Sequence, residues 1–395
     1  MLTKRATILL AGVLAAGALH ADSGQSKRIR VLRVPHSGIQ PQVALDPNGV
    51  VHLVYFSGEA RHGDLYYARS TNGGATFSPA LRVNSQPGSA IAIGTIRGAH
   101  LAVGRSSRVH VAWNGSDLTS SEGPLNPESG QRGAPMLYTR MTDAGDAFEP
   151  QRGLMRRTFG LDGGGSVAAD SRGNVYVAWH GKGAGAAKGE AGRQVWVTRS
   201  DDEGRTFRAE SPAWDEPTGA CGCCGLRLFA EPEGAVYGLY RSATSDVHRD
   251  IYLLVSTGQR QSFRGSLAHR WEINACPMSS MALAQGRSGV IAGWETDGQI
   301  YFSGATRGGG LGEQPRAVPG AGAGRKHPSI AVNGKGETIV VWTEGTGWQR
   351  GGSLAWQFYD SKGEPVEERG NLPGVPVWSF AAVFAKSDGE FVILY

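Results

Sequence analysis

Four cysteines are the residues of this chain with the most chemistry to offer. All of them lie in two short stretches, Cys221-Gly222-Cys223-Cys224 and Cys276-Pro277-Met278. Thiolates and a thioether are soft donors, so three or four gathered at one point would suit copper(I) or zinc. Met278, two residues after Cys276, shares its face if the stretch is extended. His327 adds a nitrogen from further along the chain. The competing chemistry is oxidation, because an even set of cysteines in an exported chain forms disulfides. A vicinal Cys223–Cys224 bridge is strained, so oxidation would pair Cys276 with Cys223 or Cys224. Cys-x-Cys-Cys is not a zinc-finger spacing, and the spacing alone leaves both readings open.

The elements that must position these residues repeat. A small apolar segment is followed by a polar turn and then by a strongly apolar segment that usually ends in an aromatic. The second segments are 51–56, 109–113, 175–179, 236–240, 290–294, 339–342 and 391–395. The turns before them, such as Asp46-Pro47-Asn48-Gly49 and Asp170-Ser171-Arg172-Gly173-Asn174, carry residues that tolerate positive φ and make hairpins. A third segment alternates apolar and polar residues in six of the seven units, as at 65–69, 136–140, 194–199 and 251–255. Segments 119–133 and 183–192 read as long loops between second and third strands.

After the third segment comes a turn signature. Ser70-Thr71-Asn72-Gly73-Gly74-Ala75-Thr76-Phe77 and Ser200-Asp201-Asp202-Glu203-Gly204-Arg205-Thr206-Phe207 fit S-x-[DN]-x-G-x-[ST]-[FW]. Asp143, Gly145 and Phe148 form a partial copy. The Asx side chain caps backbone N–H groups, Gly takes the left-handed position, and the aromatic pins the turn. This pattern resembles the Asp box of the sialidase-like β-propellers. The resemblance implies an all-β propeller of four-stranded blades, with Ser70, Asn72, Gly74, Phe77, Asp143, Gly145, Phe148, Ser200, Asp202, Gly204 and Phe207 in structural roles. Counting units predicts seven blades, the last one thin and closed by both termini, with 28–34 as its outer strand. The alternative is six blades, the number usual in sialidases.

The same resemblance proposes an active site. That family grips its substrate carboxylate with three arginines and uses a Tyr–Glu nucleophile and an Asp acid/base. Glu59-Ala60-Arg61-His62-Gly63-Asp64 is similar to one family segment, which makes Asp64 the acid/base candidate with Arg61 beside it. Arg241 stands where a second triad arginine would be. The first arginine is missing, because Ile39-Gln40-Pro41 replaces the family's R-I-P. A clamp lacking one member loses much of its bidentate grip.

In a propeller the loops before the first strands open on one end of the channel, and loops on a rigid scaffold carry function. His36, Arg97, His100, Arg325, Lys326 and His327 fall in such loops, as do all four cysteines, which are expected to converge there. Residues 1–21 have the charged, apolar and small-residue parts of a signal peptide, which leaves 22–395 as an exported propeller domain, periplasmic or secreted. No other long apolar run follows, so no integral membrane segment is expected in the mature protein. The net charge of +5 is scattered rather than clustered, which argues against nucleic acid as a partner. The expected partner is a small ligand, a glycan or a metal at a cysteine-rich channel mouth. The alternatives are an exo-acting glycoside hydrolase of sialidase type and a protein-interaction scaffold with structural disulfides.

Overall fold

The computed structural model describes residues 28–258, 260–321 and 324–395. The predicted signal peptide lies outside the described residues. Seven sheets succeed one another along the chain, six of four strands and one of three. Blade 1 runs Ile39–Leu45, Val51–Glu59, His62–Ser70 and Leu81–Arg82. The inner strands of blades 2 to 6 are His100–Val103, Gly165–Ala169, Leu226–Ala230, Ala282–Gln285 and Arg325–Val332. The protein is therefore a seven-bladed β-propeller, and the six-bladed alternative is set aside.

Blade 7 takes Ala382–Ala385 and Phe391–Leu394 from the C-terminus and Ile29–Leu32 from the N-terminus. The N-terminal strand pairs parallel with Phe391–Leu394. A third strand continuous with its neighbour would be antiparallel. Ile29–Leu32 instead runs in the direction of a fourth strand, because it must feed the inner strand of blade 1. Both ends of the chain thus cover an edge that would otherwise be open to pairing.

The second strands are predominantly apolar because both of their faces are buried against neighbouring blades. The aromatics that end them, Phe56, Trp113, Trp179, Tyr240, Trp294 and Trp342, are all buried. They anchor apolar clusters that each join two adjacent blades. The hairpin turns work as their residues predict: Asp46 Oδ1 accepts from Asn48 N and Val50 N, and Asp170 Oδ1 from Arg172 N and Asn174 N. The 119–133 insertion is partly ordered by a small ribbon, Leu125–Asn126 against Gln131–Arg132.

The Asp boxes cap the turn between third and fourth strands and lock each blade to the one before. Ser200 Oγ accepts from Gly204 N at 2.8 Å, and Asp202 Oδ1 from Thr206 N at 2.8 Å. Ser70 and Asn72 do the same for Gly74 N and Thr76 N. Phe207 meets Tyr138 of blade 2 edge-on at 4.8 Å, and Phe148 meets Tyr67 of blade 1 at 5.6 Å. In the partial copy, Asp143 does not cap: it pairs with Arg108, and Asp146 bonds Thr142 instead.

Candidate functional site

The inner strand of blade 4 is entered through the cysteine loop. Cys221 N donates to Arg241 O at 3.0 Å, and Cys224 N to Cys221 O at 3.4 Å, which folds the loop into a tight turn. The turn brings three sulfurs together. Cys221 Sγ lies 3.4 Å from Cys223 Sγ and 3.2 Å from Cys224 Sγ, and all three lie within 4.8 Å of one another. Cys221 and Cys224 are buried in the core between blades 4 and 5, and Cys223 is half-buried. Gly225, the next residue, lines the channel and donates to Ser279 O of the blade 5 loop at 2.9 Å. The sulfurs therefore sit just behind the channel wall.

All four cysteines are free thiols in this structure. Cys276 is exposed and lies outside the three-sulfur group. Met278, half-buried at a φ of 52°, belongs to the segment that supplies Ser279. His327 is buried on the inner strand of blade 6, with Nδ1 3.1 Å from Ser280 Oγ. Burial and then Lys326 push its pKa down to about 3, against the opposing pull of Cys224. It is close enough to feel that charge, but its ring is not part of the three-sulfur group.

A network of charges surrounds the loop. Glu190 pairs with Arg249 at 2.7 Å and Arg193 at 3.3 Å. Asp162 pairs with Arg97 at 2.6 Å and Arg193 at 3.5 Å. Arg241 pairs with Glu295 at 3.1 Å. A Cβ at Gly222 would meet the charged ends of Arg193, Asp162 and Glu190, so a side chain there would displace this network. Burial works against ionising Cys224. Thiol hydrogen bonds from Cys221 and Cys223, then the Arg241 guanidinium and the Ser279 N–H, outweigh it and hold Cys224 well below the usual thiol range. Cys223 is pushed far up by its bonds to Cys221 and Cys224 and by burial. Cys221 is also raised: its bond with Cys223 favours the thiolate, but Cys224 and burial overcome it. Of the three thiols, Cys224 is therefore the one favoured to ionise first.

The other predicted residues are held apart. Asp64 Oδ1 in blade 1 accepts from Asn84 Nδ2 at 2.7 Å and Gly88 N at 2.8 Å. Arg61 is exposed, and its backbone N–H donates to Glu59. Arg241 in blade 4 is fully buried, donating to Arg249 O and to Glu295 and stacking over Trp271. A guanidinium so engaged is not open to a substrate carboxylate.

Sequence reasoning missed His180, Glu295 and, around the cysteine loop, Asp162, Glu190, Arg193 and Arg249. His180 is fully buried, and among the described residues neither ring nitrogen has a side-chain hydrogen-bond partner. It flanks the cysteine loop: the point where a Gly163 Cβ would sit is 2.5 Å from His180 Nδ1, 3.1 Å from Cys224 O and 3.3 Å from Cys221 O. The signal was positional. His180, Arg241 and Glu295 each follow the aromatic near the end of a second strand, in consecutive blades, and all three are buried.

No family model matches the chain, and no curated protein matches it by sequence. Solved structures do match by fold. An α-L-arabinanase of Penicillium chrysogenum aligns at 16% identity and a TM-score of 0.52, covering 84% of this chain and 95% of its own. A protein of unknown function from Dyadobacter fermentans aligns at 13% identity and a TM-score of 0.52, covering 88% and 97%. A leech intramolecular trans-sialidase aligns at 10% identity and a TM-score of 0.50, covering 86% and 68%. With its Asp boxes and its ring of blades, the chain has the fold of the sialidase-like and arabinanase β-propellers.

Proposed function

We propose that this protein is an exported propeller that binds a thiophilic metal ion through Cys221, Cys223 and Cys224. The observation that carries this reading is the convergence of three sulfurs within 4.8 Å in a mostly buried turn. Three soft donors in a dry site suit copper(I). A structural zinc site needs four protein ligands, and the group has three. The arrangement speaks less for glycoside hydrolysis, since Arg241 is tied to Glu295 and Asp64 to Asn84 in separate blades. It speaks less for disulfide staples, since Cys276 stands apart from the other three.

The test is elemental mass spectrometry on mature protein purified without oxygen. Near-stoichiometric copper is expected, lost in Cys221→Ser/Cys224→Ser and kept in Cys276→Ser. Zinc in its place would keep the site and change the ion. Absence of metal, together with intact-mass evidence that the three cysteines are oxidised, would overturn the reading.

A further inference from the structure

The channel holds a cation that neither the repeats nor the cysteine site explains. Arg227 lies on the inner strand of blade 4 and lines a cavity of 570 Å³ formed by the inner strands of all seven blades. The wall is mostly apolar, with Val43, Leu101, Val167, Leu283 and Ile330 among its residues. Arg227 Nη1 donates to Gln42 Oε1 of blade 1 at 2.6 Å and lies 3.4 Å from His100 Nδ1 of blade 2. Among the described residues no carboxylate pairs with it. Burial alone pulls its pKa down to about 10, with no acidic group acting against that, so it stays charged at neutral pH.

His100 adds a second donor. Its Nδ1 faces two groups, the Ser166 hydroxyl at 2.9 Å and the Arg227 guanidinium. Ser166 Oγ already accepts from Leu228 N at 2.9 Å, so its own proton is free to point at the ring. A guanidinium can only donate. Nδ1 must therefore be the acceptor, which puts the ring proton on Nε2. Burial and the nearby Arg227 keep the imidazole neutral. Among the described residues neither Nε2 of His100 nor Nε and Nη2 of Arg227 has a hydrogen-bond partner, and none of the three is sealed from solvent. The channel thus presents one charged and one neutral donor group, each with an N–H left over once Gln42 Oε1 and Ser166 Oγ are accounted for.

An uncompensated cation in an apolar cavity is costly, and an anionic partner removes that cost. The volume is in the range of small-molecule sites. We propose that the channel binds a small carboxylate with an apolar body, its carboxylate held by Arg227 and the His100 Nε2–H. A carboxylate matches the guanidinium fork bidentately, and the remainder of the ligand covers the apolar wall. This inference does not depend on the metal site.

The probes are benzoate and octanoate, each against its neutral amide, with inorganic phosphate as the anion that lacks an apolar body. Binding to the mature full-length protein is read by calorimetry and by the shift in melting temperature. A carboxylate is expected to bind at least about tenfold more tightly than its amide, the scale of a charge-assisted bond. Arg227→Met should erase that difference while leaving the amide affinity unchanged. Three results would overturn the proposal: no discrimination between acid and amide by the wild type, a response to phosphate equal to that of the carboxylates, or a difference that survives in Arg227→Met. The wild-type comparison of acid and amide stands even if the variant does not fold.

Discussion

Arg241→Met separates a structural arginine from a substrate clamp. The guanidinium is fully buried and binds Arg249 O at 2.7 Å, the Glu295 carboxylate at 3.1 Å and the Glu295 carbonyl. Methionine keeps much of the volume against Trp271 but leaves Glu295 as a buried carboxylate with no cation. Breaking a buried pair by removing one partner costs about 3–5 kcal/mol. Glu295 keeps one bond, from Gly298 N at 2.8 Å, and burial already raises its pKa, so it can take up a proton; both place the loss near the lower end. At the entropy of unfolding of a chain this long, that is a fall in melting temperature of roughly 4 °C. Replacing both partners, Arg241→Met with Glu295→Met, should recover at least half of it, because the Glu295 carboxylate is then not left buried without its ion-pair partner. The assay is calorimetric melting of the wild type, both single variants and the double variant. A single variant that melts within about 1 °C of the wild type would refute the buried-pair argument and return Arg241 to the list of ligand-binding residues.

Two further outcomes follow from packing and from charge. Gly204 has a φ of 77°, and a Cβ there would collide with the Tyr138 hydroxyl, which is itself bonded to His110 Nδ1 at 2.8 Å. Gly145 has a φ of 71° with nothing near. Gly145→Ala should cost about 1 kcal/mol, the left-handed backbone alone. Gly204→Ala adds overpacking, for a total of roughly 2–4 kcal/mol, and denaturant melts showing equal costs would contradict this. His100 and His110 are held neutral by burial, His110 down to about 3 against an ordinary 6.5. Above about pH 6.5 neither costs stability; below it stability falls at about 1.4 kcal/mol per pH unit for each, for His110 down to about pH 3. Stability measured from pH 7.5 to 4.5 should decline accordingly, with a shallower slope in His110→Gln; a flat profile would count against it.

The ring was legible because its signals are local. Each second strand announces itself by an apolar run ending in an aromatic, and each turn by Asp, Asn and Gly at fixed places. Closure by 28–34 followed from counting strands, although the parallel pairing needed the path of the chain in space. The site was legible only in part. Cys221, Cys223 and Cys224 are near neighbours, and one tight turn gathers them. Cys276 was placed beside them on the argument that adjacent lead-in loops meet. The loops do meet, at Gly225 and Ser279, but Cys276 lies three residues upstream of that contact and faces solvent. His180, Glu295 and Arg227 escaped notice for another reason. Alternation says which face a residue occupies, not whether a buried polar group there finds its partner, and the partners of Glu295 and Arg227 come from other blades.

That last point bears on how a propeller can hold so much charge beside its channel. Arg97, Asp162, Glu190, Arg193, Arg241, Arg249 and Glu295 come from the segments of blades 2 to 5, and each ion pair except Glu190–Arg193 is far apart in sequence. A pair made across two blades holds its geometry only if the spacing between blades is fixed. The Trp and Tyr cores between blades and the Asp-box aromatics fix it locally, and closure at Ile29–Leu32 fixes it around the ring. In blades 4 and 5 the second strands thus supply two things from adjacent positions: an aromatic that sets the distance between blades, and the charged residue after it, Arg241 or Glu295, whose partner stands across that distance. A cysteine turn placed on top of such a frame is oriented by groups that cannot relax toward it. That is the preorganisation which a buried thiolate, with or without a metal ion, requires.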